Sequence, residues 1–485
     1  MNTKSLHTIS NQKERYNMSI ELDVYTGTLT YKEIEFSFVF DRKELRLIPP
    51  ENKYHDVRMW FMKPLGKGAY TFGNPVYIDD DYLIGKCNEN CQKIIFLPKY
   101  KNIGSYNSVL IIQIEAYIIQ KYEREWIDRL GFTSPELDCI FPTSQALENP
   151  EWTEDGIISI KTKDFDNTTS HKQKFSVDGK KVSVFFGISR TSSGKIGKPP
   201  LELHSEMFFE FDKTNDYKFI LRLWSIAKCF VQYLCYRKNV DLFSVEVSAP
   251  FEDGKHEKFA TLYIIDKSID NEPEILEKRR YIKQEYISGA EGKILNDIGK
   301  DKIYLRHLPE TYRIGRSIDA ARFVMITAAF EWTFKKKYPD GISKKPTTIK
   351  AEETATRKLS ELVDGSKGKL KKIYKFLRKL IGSNSLQAEI EQTGKDYADI
   401  IDVFGKHLYS MNKETLKYSE MGLRLSRQRN NFAHGNLDKD FIGLSLLDLI
   451  YLEYIVYAMQ LKEYGVDNKS IQRAINDLFG CLLAL

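Results

Sequence analysis

The chain is poor in cysteine, with six in 485 residues. Cys87, Cys91, Cys139, Cys229, Cys235 and Cys481 follow no regular spacing, which excludes a disulfide-stapled scaffold and suits a reducing compartment. Long apolar runs are also missing. The most apolar stretch, Phe441 to Leu461, is broken by Asp448 and Glu453 and reads as a buried helix rather than a membrane span. Residues Met1 to His7 hold no apolar run of the signal-peptide kind, so a cytoplasmic protein with no membrane partner is expected. Gly66-Lys67-Gly68 and Ser192-Ser193-Gly194-Lys195 lack the spacing of a phosphate-binding loop and read as turns. No paired carboxylates and no Ser/His/Asp arrangement stand out. Cys87-Asn88-Glu89-Asn90-Cys91 supplies half a zinc site, but no second close Cys/His pair accompanies it, and His55 and Cys139 do not stand at finger spacing. Free structural thiols are expected there, with no metal and no other cofactor.

What is present is an ordinary globular balance, 42% hydrophobic and 29% charged, with length for two to four domains. The net charge of +6 is unevenly placed. From Asn271 to Leu485 roughly 37 basic residues face roughly 29 acidic ones, so the last part is clearly basic and the part before it slightly acidic. A basic C-terminal half suits a polyanionic partner.

From Ile20 to about Asp212 the pattern is strand-like. Leu22 to Tyr25, Ile34 to Phe40, Ile111 to Tyr117 and Val182 to Phe186 are rich in β-branched and aromatic residues, with turns marked by Pro49-Pro50, Asn74-Pro75 and Pro199-Pro200. Lys218 to Tyr236 changes to helical period, and strands follow at Leu242 to Val247 and Phe259 to Ile265. Lys267 to Pro273 is polar and proline-ended, and reads as a boundary. Beyond it the spacing predicts helices at Ser317 to Lys337, around Leu370 to Leu380, and at about Asp396 to Leu408, Glu414 to His434, Phe441 to Leu461 and Lys469 to Leu483. The expected fold is α+β. A β-rich region over residues 1–270, a sandwich or twisted sheets with a possible division near 150–210, precedes an all-α bundle over 271–485.

One segment concentrates polar chemistry: Arg424-Leu425-Ser426-Arg427-Gln428-Arg429-Asn430-Asn431-Phe432-Ala433-His434-Gly435. Gly435 is a natural helix stop. Asn430 and His434 are four apart and share a helix face. Arg429 and His434 are five apart, about 140° around the axis. They converge if the arginine reaches round, if the helix ends near His434, or if a second copy faces the first. A near-neutral imidazole moves protons, and a guanidinium clamps a phosphate and stabilises charge developing on it. Together they suffice to cleave RNA by attack of the adjacent 2′-hydroxyl, with Asn430 orienting the imidazole or bonding a phosphate oxygen. The plainer reading is that Arg424, Arg427 and Arg429 are solvated or ion-paired and His434 caps the helix.

Glu331, an acid in an apolar stretch, needs a partner or water. It either pairs with Arg424, Arg427 or Arg429 and holds them in place, or lies on a solvated face beside Lys335. Lys371, Lys372, Lys375, Arg378 and Lys379 line one face of a helix and offer a phosphate track, or simply a solvated surface.

Arg429-Asn430-Asn431-Phe432-Ala433-His434 resembles the R-N-x3-H motif of HEPN ribonucleases, and Ala328-Ala329-Phe330-Glu331 resembles the first core helix of such domains. The layout, a β-rich front before a C-terminal bundle, is similar to the ApeA-like antiphage proteins. The resemblance implies a metal-independent endoribonuclease acting on RNA such as tRNA. It also implies a homodimer with a composite cleft, and a front region that responds to a phage-derived trigger. In it Arg429 stabilises the scissile phosphate, His434 is the acid/base and Asn430 supports both. The alternative is a non-catalytic dimerisation or RNA-docking module.

Overall fold

A computed structural model describes residues 23–485 apart from 67, 150, 153–155, 157, 165–167, 198, 252–254, 266–271, 273–277, 383, 436–439 and 442. The expected boundary segment 267–273 lies, Glu272 excepted, outside the described residues. The chain forms two compact units, Met1–Glu277 with Glu291–Lys300, and Lys278–Ala290 with Asp301–Leu485.

The first unit is built on antiparallel strands. Six of them, β1 (Tyr25–Tyr31), β2 (Ile34–Phe40), β3 (Glu44–Ile48), β4 (Leu83–Cys87), β5 (Lys93–Pro98) and β6 (Val109–Gln120), close on themselves. The ring closes because β6 is long enough to pair twice: Leu110–Gln113 with β3, and Ile114–Gln120 with β5. Alternation in β2 decides which side faces in. Phe36, Phe38 and Phe40 are buried, while Glu35 and Ser37 are exposed. The interior is filled by rings packed edge to face, with Phe40 centred 5.0 Å from Phe96 and 4.9 Å from Tyr117. Gly27 is required by this crowding, since a Cβ there would meet the Lys86 carbonyl oxygen at 2.0 Å and the Phe38 ring at 2.6 Å.

The sheet continues from β6 into an open half. β7 (Ile127–Thr133), β8 (Gln173–Val177), β9 (Lys180–Ser192), β10 (Leu201–Thr214), β11 (Ser244–Pro250) and β12 (His256–Ile264) are ordered β8-β9-β10-β7-β11-β12, with β12 paired to Ala116–Gln120 of β6. A sandwich or twisted sheets are thus realised as a closed barrel and an open sheet that share one strand. Helix α1 (Tyr217–Cys235), capped by Asp216, packs against the open half through Phe219, whose ring lies 5.6 Å from Phe211. Helix α2 (Glu291–Gly299) joins this unit through Arg222, which donates to the Gly299 carbonyl at 2.8 Å.

The second unit is helical: α3 (Ala320–Lys337), α4 (Pro346–Gly365), α5 (Gly368–Leu380), α6 (Leu386–Asp396), α7 (Ala398–Met411), α8 (Tyr418–Ala433), α9 (Ser445–Glu463) and α10 (Asn468–Phe479). α9 is its axis, buried on every side from Tyr451 to Leu461, as a sequence apolar all round apart from Glu453 and Gln460 requires. Among the described residues no helix is long and apolar enough to cross a membrane.

Candidate active site

The end of α8 is fixed from inside by aromatic packing. The Phe432 ring lies 5.5 Å from Phe323 of α3 and 5.6 Å from Phe441. The helix stops at Ala433. His434 takes the capping position with its backbone N–H donating to the Asn430 carbonyl at 3.1 Å, and Gly435 adopts φ +84, where a side chain would be strained. The helix therefore ends at the histidine, one of the three conditions under which Arg429 and His434 can work on one ligand. Asn430 and His434 are exposed; Arg429 is partly buried.

Arg429 is tethered. Its Nη2 donates to Glu331 Oε2 of α3 at 2.9 Å, the pairing that holds the side chain against the bundle. Arg427 is exposed and pairs with no acid among the described residues. Arg424 has a different partner. Its Nε and Nη2 donate to the two oxygens of Asp448 at 2.7 and 2.8 Å. Asp448 is fully buried in α9 and also accepts from the Tyr409 hydroxyl. Burial raises the Asp448 carboxyl, opposed by the Arg424 and Tyr409 bonds. Arg424 is thus a structural clamp between α8 and α9.

Glu389 was not singled out by sequence. α6 comes close to α8 where Gly422 faces Gln387, whose Cα would be 2.7 Å from any Cβ at that position. Glu389 is only 6% exposed there. Burial first, and the Glu331 carboxylate second, push its carboxyl up to about 7, against the positive charges of Lys335 and Arg429. Glu389 is thus a buried carboxyl near enough to the Arg429–Glu331 pair to feel both of its charges. Only packing reveals it, because a glutamate beside Glu391 in a polar helix looks solvated.

The linkage has a definite sign. A carboxyl raised from 4.5 to about 7 on folding contributes stability that is present at low pH and lost as pH rises through that window. Glu389→Gln should therefore be more stable than wild type by about 3 kcal/mol at alkaline pH, with the gap closing toward pH 5. Urea unfolding across pH checks this. A gap that does not change with pH would show that Glu389 is ionised in both states.

The lysine-rich α5 is exposed along its length, with Lys372, Lys375, Arg378 and Lys379 in solvent and Lys371 half-buried. The Cys87–Cys91 segment is the turn between β4 and β5. The Cys87 N–H donates to the Gln92 carbonyl at 2.9 Å, and Glu89 accepts from the Thr26 hydroxyl at 2.8 Å. Burial, then the Glu89 charge, push the Cys87 thiol up to about 12, which makes it inert. Both cysteines are free, Cys91 in solvent. Compared with family models, curated proteins and solved structures, the chain matches none.

Proposed function

We propose that the helical unit is a metal-independent endoribonuclease of the HEPN type, with Arg429, Asn430 and His434 at its centre. In this reading it acts as a homodimer and the strand-rich unit holds it in check until a phage-derived trigger arrives. The observation that carries the reading is the end of α8, where Asn430 and His434 stand exposed one helical turn apart and Arg429, next to Asn430 in the chain, is tethered to Glu331. Such a grouping suits a ligand better than it suits packing, since no fold requirement calls for an exposed imidazole and amide beside a tethered guanidinium.

The reaction needs four events. The ribose 2′-hydroxyl loses a proton to an imidazole and attacks phosphorus. The guanidinium stabilises the extra negative charge on the equatorial oxygens. The bond from phosphorus to the 5′-oxygen breaks, and that oxygen gains a proton, leaving a 2′,3′-cyclic phosphate and a 5′-hydroxyl. One neutral imidazole can accept the first proton and a second, protonated imidazole supplies the last. A second copy would bring that second His434.

The test is cleavage of total tRNA and a structured RNA in a chelator, wild type beside His434→Ala. Cutting should persist without divalent ions and fall by about 10²–10⁴-fold in the variant, the usual scale for a proton-transfer residue. Equal cutting by both would remove His434 from the reaction. A second reading is favoured by the occupied state of Arg424 and Arg429, both already bound to carboxylates. In it the unit docks RNA without cutting, and His434→Ala keeps the biological effect.

A further inference from the structure

The two-helix hairpin α4–α5 carries a surface that the ribonuclease reading does not use. At 100° per residue, Leu370, Ile373, Phe376, Leu377 and Leu380 of α5 fall within an arc of about 120°. They are 49%, 53%, 62%, 41% and 51% exposed. No residue of α5 is buried. α4 lies on another side of the helix, where Lys371 and Tyr374 are half-buried and Arg378 Nη1 donates to Ser360 Oγ at 3.3 Å. The apolar arc therefore lies on a different side of α5 from the contact with α4. By contrast α10, an equally amphipathic helix of the same unit, puts Ile471, Ala474 and Ile475 entirely inside and Leu478 nearly so. The apolar stripe of α5, unlike that of α10, stays largely in solvent.

The rest of α5 is cationic, with Lys369, Lys371, Lys372, Lys375, Arg378 and Lys379 and no acid in thirteen residues. This charge selects among occupants. A second copy docked symmetrically, α5 on α5, would bring two such cationic helices together, which repel. RNA satisfies the cations but has nothing in which to bury leucine and isoleucine chains. A sheet of anionic headgroups over acyl chains satisfies both faces at once, with the lysine stems lying along the boundary and their ammonium groups among the phosphates. We propose that α5 is an in-plane anchor that docks the protein on an anionic lipid surface. A helix lying in the surface needs no span, so the absence of a crossing helix among the described residues is compatible with it.

The test is flotation of the full-length protein with vesicles of phosphatidylcholine containing a third phosphatidylglycerol, and with pure phosphatidylcholine. Wild type should float with the anionic vesicles, not with the neutral ones. Binding should weaken about fivefold for each of Lys372→Gln, Lys375→Gln and Lys379→Gln, and fall further in high salt. The double variant Phe376→Ser, Leu380→Ser should lose at least tenfold even in low salt while leaving tRNA cleavage unchanged. Both side chains are more than half exposed, so the fold does not depend on them; an unchanged helical circular dichroism signal confirms it. Equal flotation of wild type and the double variant would mean charge alone, and overturns the anchor. No flotation in low salt overturns it outright, as does a wild-type dimer that the double variant dissolves, which would seat a second copy on the face.

Discussion

Asp448→Ala should destabilise the helical unit by about 3–5 kcal/mol, the scale for breaking a buried ion pair from one side. The carboxylate is fully buried in α9, receives two bonds from Arg424 and accepts from Tyr409. Removing it strands the buried Tyr409 hydroxyl and leaves the partly exposed Arg424 guanidinium only a longer contact with Glu420 at 3.7 Å. The pair is replaceable in principle. Arg424→Met with Asp448→Leu removes both charges and fills the space, and should recover more than half of the loss. Thermal unfolding followed by helical circular dichroism decides it. If the single variant unfolds like wild type, the clamp contributes nothing and α8 is held by Phe432 and Leu425 alone.

The second large effect concerns rate. Under the ribonuclease reading, Arg429→Ala should lower kcat by about 10²–10³, the loss typical of removing one preorganised donor to a developing anion. Arg429→Lys should recover only part, because an ammonium cannot offer two parallel bonds to phosphate. Glu331→Gln separates position from charge. It keeps the hydrogen-bond acceptor that meets Arg429 Nη2 at 2.9 Å but removes the opposing charge. A modest fall in kcat with KM unchanged would mark Glu331 as a positioning residue. A loss as deep as that of Arg429→Ala would instead give it a part in the chemistry. Single-turnover cleavage of a defined RNA hairpin reads all three.

Sequence pattern carried the element types where a core enforces a period. Ile34–Phe40 alternates because one side of β2 fills the barrel, and its limits agree with the expected strand. The helices at Ala320–Lys337 and Ser445–Glu463 follow from long apolar stripes. The strand expected at Leu22–Tyr25 begins only at Tyr25 among the described residues. Helices α4 and α6 carried no such signal. α4 buries only Val363, and α6 buries Glu389, Thr393 and Gly394 among its core-facing positions, so neither has a readable apolar face. Barrel closure was beyond reach because it depends on β6 pairing over two different stretches, a matter of register between distant residues. At the site, Glu331 pairing with Arg429 was one of three options visible in sequence, and packing alone selects it. Asp448 was visible as the charge that breaks the apolar stretch, but its partnership with Arg424 was not.

The shared strand β6 has a practical consequence for anyone dissecting this protein. β12, which flanks it on the open-sheet side, begins at residue 256, so the barrel's neighbour arrives more than a hundred residues after the barrel itself is complete. Truncation anywhere between residues 150 and 210 would leave Ala116–Gln120 with a bare edge on an otherwise apolar strand, an open invitation to intermolecular strand pairing. Fragments ending there should aggregate, whereas a fragment running through Ile264 keeps that edge covered.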